Sequence, residues 1–143
     1  MVLLYLIDGY NLLYSSFREW IEKFGLENAR QFLINFLRSY KRKFIIVFDG
    51  REEFPNYPIE NVIFTKGKSA DDYIKEFIRN YKNPSEIIVV SNDKSIVNYA
   101  KMLKVKTIST SEFLKERKNI EIREEKINFD EITKEIMKEW GLT

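Results

Sequence analysis

Three runs of largely apolar residues, at 2–7, 44–48 and 86–90, constrain the fold of this chain more than any other feature. None of them alternates polar with apolar residues, which is typical of strands that are buried on both faces. Segments with helical apolar spacing separate them, and shorter strands are predicted at 61–65 and 105–108. Strands that alternate with helices in this way predict an α/β fold, a three-layer α/β/α domain with a central parallel sheet.

The chain has 143 residues, the usual size of one domain, and we expect a single domain over residues 1–143. No apolar run is long enough to cross a bilayer, and the N-terminus does not resemble a signal peptide, so a cytoplasmic protein without membrane contact is expected. The helical spacing predicts helices at 12–23, 27–41, 69–81, 94–103, from Thr110 or Ser111 onward, and at 128–140.

Acidic residues follow four successive predicted strands. In doubly wound α/β folds the functional site lies beyond the carboxyl ends of the strands, near the switch point of the sheet. We therefore expect these carboxylates to lie near one edge of the sheet. They are Asp8, Asp49, the pair Asp71 and Asp72, and Asp93.

Each of these acids also has an ordinary structural explanation. Asp8-Gly9 and Asp49-Gly50 are common turn pairs, because glycine accepts positive φ. Asp71 and Asp72 would lie in the first turn of a helix, and Asp93 or the adjacent Asn92 would cap another. Several carboxylates placed together, however, repel one another unless a cation lies between them, and carboxylate oxygens suit Mg²⁺ or Mn²⁺.

The composition narrows the chemistry further, because the chain contains neither cysteine nor histidine. Ser-His-Asp and Cys-His catalysis and imidazole or thiolate metal sites are therefore excluded. Metal-assisted hydrolysis of a phosphodiester requires no histidine, and carboxylates alone can hold the ion. Asn11, three residues after Asp8, could orient a water or a ligating carboxylate, or cap a helix.

The segment Asp8-Gly9-Tyr10-Asn11 after a buried strand resembles the opening of NYN domains, in the PIN-like nuclease superfamily. Later segments are similar to its YacP-type bacterial branch, and the resemblance covers about residues 1–118. We interpret residues 119–143, which have no matching counterpart, as a C-terminal helical extension. The later segments are Val47-Phe48-Asp49, Phe64-Thr65-Lys66, Ser69-Ala70-Asp71-Asp72 and Ser91-Asn92-Asp93.

The resemblance implies an endoribonuclease that depends on Mg²⁺ or Mn²⁺, cuts single-stranded RNA and leaves a 5′-phosphate and a 3′-hydroxyl. It further implies the ribosome as a partner, since YacP-type members are associated with cleavage of mRNA on ribosomes. Two residues depart from the family pattern: Asp72 stands where Glu is common, and Asn92 where a hydroxyl residue is usual. The resemblance further implies that Asp8, Asp71 and Asp93 are the metal ligands and that Asn11, Asp49 and Asp72 support them.

RNA contacts are predicted beside the acidic residues. Lys66 and Lys68 would meet backbone phosphates, although a solvated loop explains them equally well. Tyr10, with Tyr14 and Tyr57, could stack on unpaired bases, although ordinary packing explains all three. Ser91 and Asn92 complete the predicted RNA-binding set.

Two other functions are also compatible with this sequence. One is a non-catalytic RNA- or ribosome-binding module on the same fold. The other is a metal-dependent phosphatase or a 5′-nuclease acting on DNA, because the same carboxylates would serve either reaction.

Overall fold

The structure, a computed structural model, describes residues 3–39, 42–50 and 59–121. The predicted helix at 128–140 and Tyr57 lie outside these residues. The described strands form one sheet in which all neighbours are parallel, in the order β3-β2-β1-β4-β5, so the predicted α/β fold is confirmed. The strands are β1 Leu4–Asp8, β2 Phe44–Phe48, β3 Val62–Phe64, β4 Ile87–Val90 and β5 Lys106–Ile108.

Helices connect β1 to β2, β3 to β4 and β4 to β5, and they cover both faces of the sheet. No helix in the described ranges is long and apolar enough to cross a membrane. A short 3-10 turn at Pro84–Glu86 leads into β4. The α-helices are α1 Gly9–Ser16, α2 Arg18–Phe24, α3 Leu26–Arg38, α4 Ala70–Asn80, α5 Lys94–Met102 and α6 Thr110–Glu121.

The single helix predicted at 12–23 is wrong in two respects. Helix α1 already begins at Gly9, directly after the first strand, and the helical run breaks at Phe17. Phe17 leaves the helical conformation, with φ −130° and ψ 28°. Its ring stacks on Trp20 with 4.5 Å between centroids and meets Phe36 of α3 edge-on. Aromatic packing thus overrides the continuous apolar spacing of this segment.

Two apolar layers sandwich the sheet. On one face, Tyr5 and Ile7 of β1 pack with α1, α2, α3 and Phe113 of α6. On the other, Leu6 of β1 packs with buried residues of α4 and α5. Successive strand residues point to opposite faces, so a strand covered on both sides must be apolar throughout.

Gly9 and Gly50 allow close packing, and the positive φ expected of them is not observed; Gly9 is the first residue of helix α1. Neither is among the glycines with positive φ. A Cβ on Gly9 would lie 2.6 Å from the Phe48 ring, and one on Gly50 would lie 1.6 Å from the carbonyl oxygen of Thr65. Each glycine therefore lets the chain after an acidic residue pass close to a neighbouring strand.

Candidate active site

The proposed site lies where the strand order reverses, between β1 and β4. These strands pair in parallel, and Ile7 lies opposite Val90. Asp8 ends β1, while Ser91, Asn92 and Asp93 follow β4 directly, so the sheet brings the two polar segments side by side. This is the switch point of a doubly wound sheet, where such folds place their ligands.

Among the described residues, Asp8 is the carboxyl group whose pKa is shifted most from its ordinary value. Its pKa is raised from 3.8 to about 6, mainly by burial and to a smaller extent by the negative charges of Asp93 and Asp71. Hydrogen bonds from the Ser91 side chain and the Asn11 backbone oppose this shift. The charges of two other predicted ligands therefore act at Asp8, so the strand ends bring at least these three acids near one another.

Ser91 connects Asp8 to Asp93. The buried Ser91 hydroxyl donates to Asp8 Oδ2 at 3.2 Å and accepts the backbone N–H of Asp93 at 3.0 Å. Asp93 caps α5, because its Oδ1 accepts the backbone N–H groups of Ser95 at 2.8 Å and Ile96 at 3.4 Å. The helix-cap explanation of Asp93 is thus confirmed for Oδ1.

A hydrogen-bond network holds the loop after β4 against two helices. The backbone N–H of Asn92 donates to Asn11 Oδ1 at 2.8 Å, which ties the loop to α1. The Asn92 side-chain amide makes two hydrogen bonds to Thr110 at the start of α6. Its Nδ2 donates to Thr110 Oγ1 at 2.9 Å, and its Oδ1 accepts the Thr110 backbone N–H at 3.0 Å. Ser15 of α1 also donates to Thr110 Oγ1, at 2.9 Å. Asn92 therefore acts as a structural bridge between the site and α6.

Asp71 is placed by the first turn of α4, which Ser69 caps by accepting the Asp72 N–H at 3.1 Å. Asp71 Oδ1 is buried and lies 2.8 Å from the ammonium of Lys75, one helical turn later. No other described group hydrogen-bonds to this oxygen, so Lys75 is what neutralises it. Lys75 also donates to Ser95 Oγ of α5 at 2.6 Å.

Two of the predicted ligands stay apart from this group. Asp49 and Asp72 are exposed, and neither is among the charges that perturb Asp8. Asp72 acts instead on Lys75, whose pKa is raised most by its interaction with Asp71 and further by the charges of Asp72 and Asp93.

The predicted RNA-binding residues are divided between two places. Lys66 is exposed after β3, whereas Lys68 is paired with Glu76 and lines a separate hollow with the aromatic side chains of α4. Tyr10 packs edge-on against Phe48 at 5.0 Å, and its hydroxyl accepts Arg30 Nη1 at 3.2 Å. The packing explanation of Tyr10 is therefore confirmed.

An open hollow of about 460 Å³ adjoins Asp8. Asn11 and Ser15 contribute polar atoms to its wall, and Tyr10 and Tyr14 contribute aromatic rings. Tyr14 is 45% exposed, one of the two large hydrophobic side chains that stand out from the described surface. The hollow thus combines a carboxylate, amide and hydroxyl groups and an accessible ring.

The oxygen atoms of the site suit a hard cation, although the neighbouring acidic side chains do not form a ready coordination site. Within residues 3–39, 42–50 and 59–121, no three acidic side chains are grouped closely enough to hold a metal ion as they stand. The site nevertheless has a partly buried carboxylate, Asp8, at a raised pKa, and a buried Asp71 oxygen neutralised by an ammonium. A divalent ion would relieve both, and its preferred ligands are oxygens of this kind.

Fold and site together define a doubly wound α/β protein with acidic residues at its switch point. Residues 5–140 match the family described as the YacP-like NYN domain. The match therefore extends past residue 118, where the resemblance of the motifs ends. The chain belongs to this family, whose fold is an RNA-related nuclease fold.

Two solved structures are similar to the chain. The crystal structure of the W164L mutant of Rae1 (YacP) from Bacillus subtilis has 28% identity, covers 85% of this chain and 79% of its own, and gives a TM-score of 0.69. The crystal structure of Rae1 (YacP) from the same organism, at 24% identity, supports the fold alone; it covers 99% and 84%, with a TM-score of 0.61. Curated proteins gave no significant match.

The sequence interpretation missed Lys75, Ser15 and Thr110. Lys75 could have been found, because a lysine four residues after an acidic residue on a helix lies beside it. The hydrogen bonds between Asn92 and Thr110 join residues 18 positions apart, and no local sequence pattern predicts them.

Proposed function

We propose that this protein is a metal-dependent endoribonuclease that hydrolyses phosphodiester bonds in single-stranded RNA, including mRNA on ribosomes, with Mg²⁺ or Mn²⁺ as its cofactor. The observation that carries the proposal is the raised pKa of the partly buried Asp8 beside the charges of Asp71 and Asp93. Membership of the YacP-like NYN family supports the choice of RNA.

The residues of the proposed site would have two kinds of role, metal binding and positioning. Asp8, Asp71 and Asp93 would hold the metal ion, with Asp49 and Asp72 as outer carboxylates. Bound there, the ion would polarise the phosphoryl oxygen and stabilise the negative charge of the leaving group. Ser91 fixes the orientation of Asp8, and Asn11 fixes the loop that carries Asp93.

The hollow beside Asp8 suggests where the RNA lies. Its polar wall could accept ribose and phosphate groups, and exposed Tyr14 offers a face on which an unpaired base can stack. Lys66 is free to reach a backbone phosphate, whereas Lys68 would have to leave Glu76 first. Tyr10, Ser91 and Asn92 would then shape the wall and take little direct part in binding.

The experiment is cleavage of an unpaired, end-labelled RNA and of DNA with the same sequence, each with Mn²⁺ and with EDTA. Internal cleavage of RNA alone, and only with the metal, is expected. Cleavage of DNA to the same extent would replace the proposal by a less selective nuclease. If naked RNA stays intact, ribosome-bound mRNA is the substrate to test next, and intact mRNA there would refute the proposal.

A second function, a non-catalytic RNA- or ribosome-binding module, is favoured by one observation. The described acidic residues form no group of three that is close enough to hold a metal ion as it stands. The two functions differ in metal binding, since an ion that binds only the folded state raises the melting temperature. Millimolar Mn²⁺ should stabilise the wild type and not Asp8→Asn if the enzyme proposal holds; the absence of any shift favours the binding module.

A further inference from the structure

The ion pair between Asp71 and Lys75 differs from an ordinary helical ion pair. Its side chains are 29% and 25% exposed, and the ammonium lies 2.8 Å from a buried oxygen. The Glu19–Lys23 pair on α2 has the same i,i+4 spacing and a distance of 2.7 Å, but its side chains are 66% and 57% exposed. Pairs as exposed as the latter contribute little, so the two lysines serve as matched cases of one motif.

Lys75 is also held from a second helix. Its ammonium donates to Ser95 Oγ at 2.6 Å and lies 5.9 Å from the centre of the Tyr99 ring, and both residues belong to α5. Asp93, which caps the same helix, adds its negative charge to those of Asp71 and Asp72 around Lys75. One ammonium thus lies among three acidic residues of the proposed metal site.

We infer that Lys75 is an internal competitor of the metal: its ammonium occupies the place beside Asp71 that a divalent cation would take, and leaves it when the cation binds. The inference rests on the proposed function, because it requires a metal that uses Asp71. Lys75 is on this account a positioning residue, which keeps Asp71 neutralised and oriented in the metal-free protein.

Competition follows from charge and space together. Asp71 Oδ1 can face either the ammonium at 2.8 Å or a metal ion at bonding distance, and the two positive charges repel. Lys75 has a long stem and can turn toward solvent or toward a phosphate of the substrate. The displaced ammonium would thereby find a new partner in RNA, which makes metal and RNA binding mutually favourable.

The test is Mn²⁺ binding to the full chain, stripped with EDTA and dialysed, with free Mn²⁺ measured by electron paramagnetic resonance and no RNA present. The variants are Lys75→Met, which keeps the length of the stem and removes the charge, and Lys75→Arg, which keeps the charge. Lys23→Met is the matched control, because it breaks an ion pair of the same spacing on α2, which carries none of the residues of the proposed site. Lys75→Gln serves if Lys75→Met does not fold by circular dichroism.

Lys75→Met is expected to bind Mn²⁺ more tightly by on the order of tenfold, because the ion then no longer has to break the contacts of the ammonium with Asp71 and Ser95, and the net loss of a charged hydrogen bond is roughly of that size. Lys75→Arg and Lys23→Met should keep the wild-type affinity. Equal or weaker binding by Lys75→Met would overturn the inference and leave the proposed metal site intact. No Mn²⁺ binding by any variant or by the wild type would overturn both.

Discussion

Replacing Asp8 by asparagine should stabilise the metal-free protein at neutral pH, although it removes a residue of the proposed site. A carboxyl group whose pKa is raised by folding costs stability wherever it is ionised. The rise from 3.8 to about 6 corresponds to about 3 kcal/mol at full ionisation, at 1.36 kcal/mol per pKa unit. The amide oxygen of the new asparagine could still accept the Ser91 hydroxyl, so the substitution removes the charge and keeps the hydrogen bond.

The sign fixes the shape of the pH dependence. Because the pKa of Asp8 is higher in the folded than in the unfolded state, the free energy of unfolding falls as pH rises from about 4 to about 6 and then levels off. The difference between wild type and Asp8→Asn should therefore change by about 1.4 kcal/mol between about pH 5 and about pH 8. The remaining part of the 3 kcal/mol lies below about pH 5.

Urea unfolding in EDTA, followed by circular dichroism across this pH range, measures the difference directly. Asp49→Asn is the control, since that carboxylate is exposed and its removal should change stability by less than about 0.5 kcal/mol at each pH. The reasoning is refuted if Asp8→Asn is no more stable than wild type at about pH 8. It is also refuted if the pH profiles of the two proteins run parallel.

Three further substitutions test the packing around the site. Asn92→Ala should lower the free energy of unfolding by about 1–3 kcal/mol, because Thr110 loses both of its hydrogen bonds to the Asn92 amide. An unchanged urea midpoint would contradict this. Gly50→Ala should cost about 3 kcal/mol or prevent folding, since its Cβ would lie 1.6 Å from the Thr65 carbonyl oxygen, and wild-type thermal stability would refute this packing. Tyr14→Ala should weaken RNA binding in EDTA by about 1–3 kcal/mol in fluorescence anisotropy and leave the melting temperature almost unchanged; equal RNA affinity would rule out stacking there.

The fold could be predicted because buried parallel strands need no long-range information to be recognised. Runs such as Phe44–Phe48 are apolar on both faces, and every strand predicted at 2–108 has a counterpart in the sheet. The break at Phe17 escaped prediction, because apolar spacing continues through it and the packing of its ring on Trp20 and Phe36 is visible only in the folded chain.

The site was predictable to the extent that it depends on strand ends. The charges of Asp71 and Asp93 act on Asp8, and the parallel pairing of β1 with β4 brings Asp8 and Asp93 to the same edge of the sheet. Asp49 and Asp72 come from the same edge of the sheet, but their side chains remain exposed. A strand end fixes where a residue lies and leaves the direction of its side chain to local packing.

Asn92 shows a second limit of the sequence. Its departure from the hydroxyl residue usual in the family left its role open, and the structure gives it a structural one through Thr110. Such a role depends on a partner that only the assembled sheet brings near.

The most direct test of the proposed active site is cleavage of labelled single-stranded RNA by the wild type and by Asp93→Asn, each with Mn²⁺ and with EDTA. Asparagine caps helices as well as aspartate does, so this substitution removes a charge and spares the start of α5. The account predicts cleavage by the wild type with Mn²⁺ alone, and its loss in Asp93→Asn at an unchanged fold. Equal cleavage by both proteins, or cleavage that persists in EDTA, would contradict it.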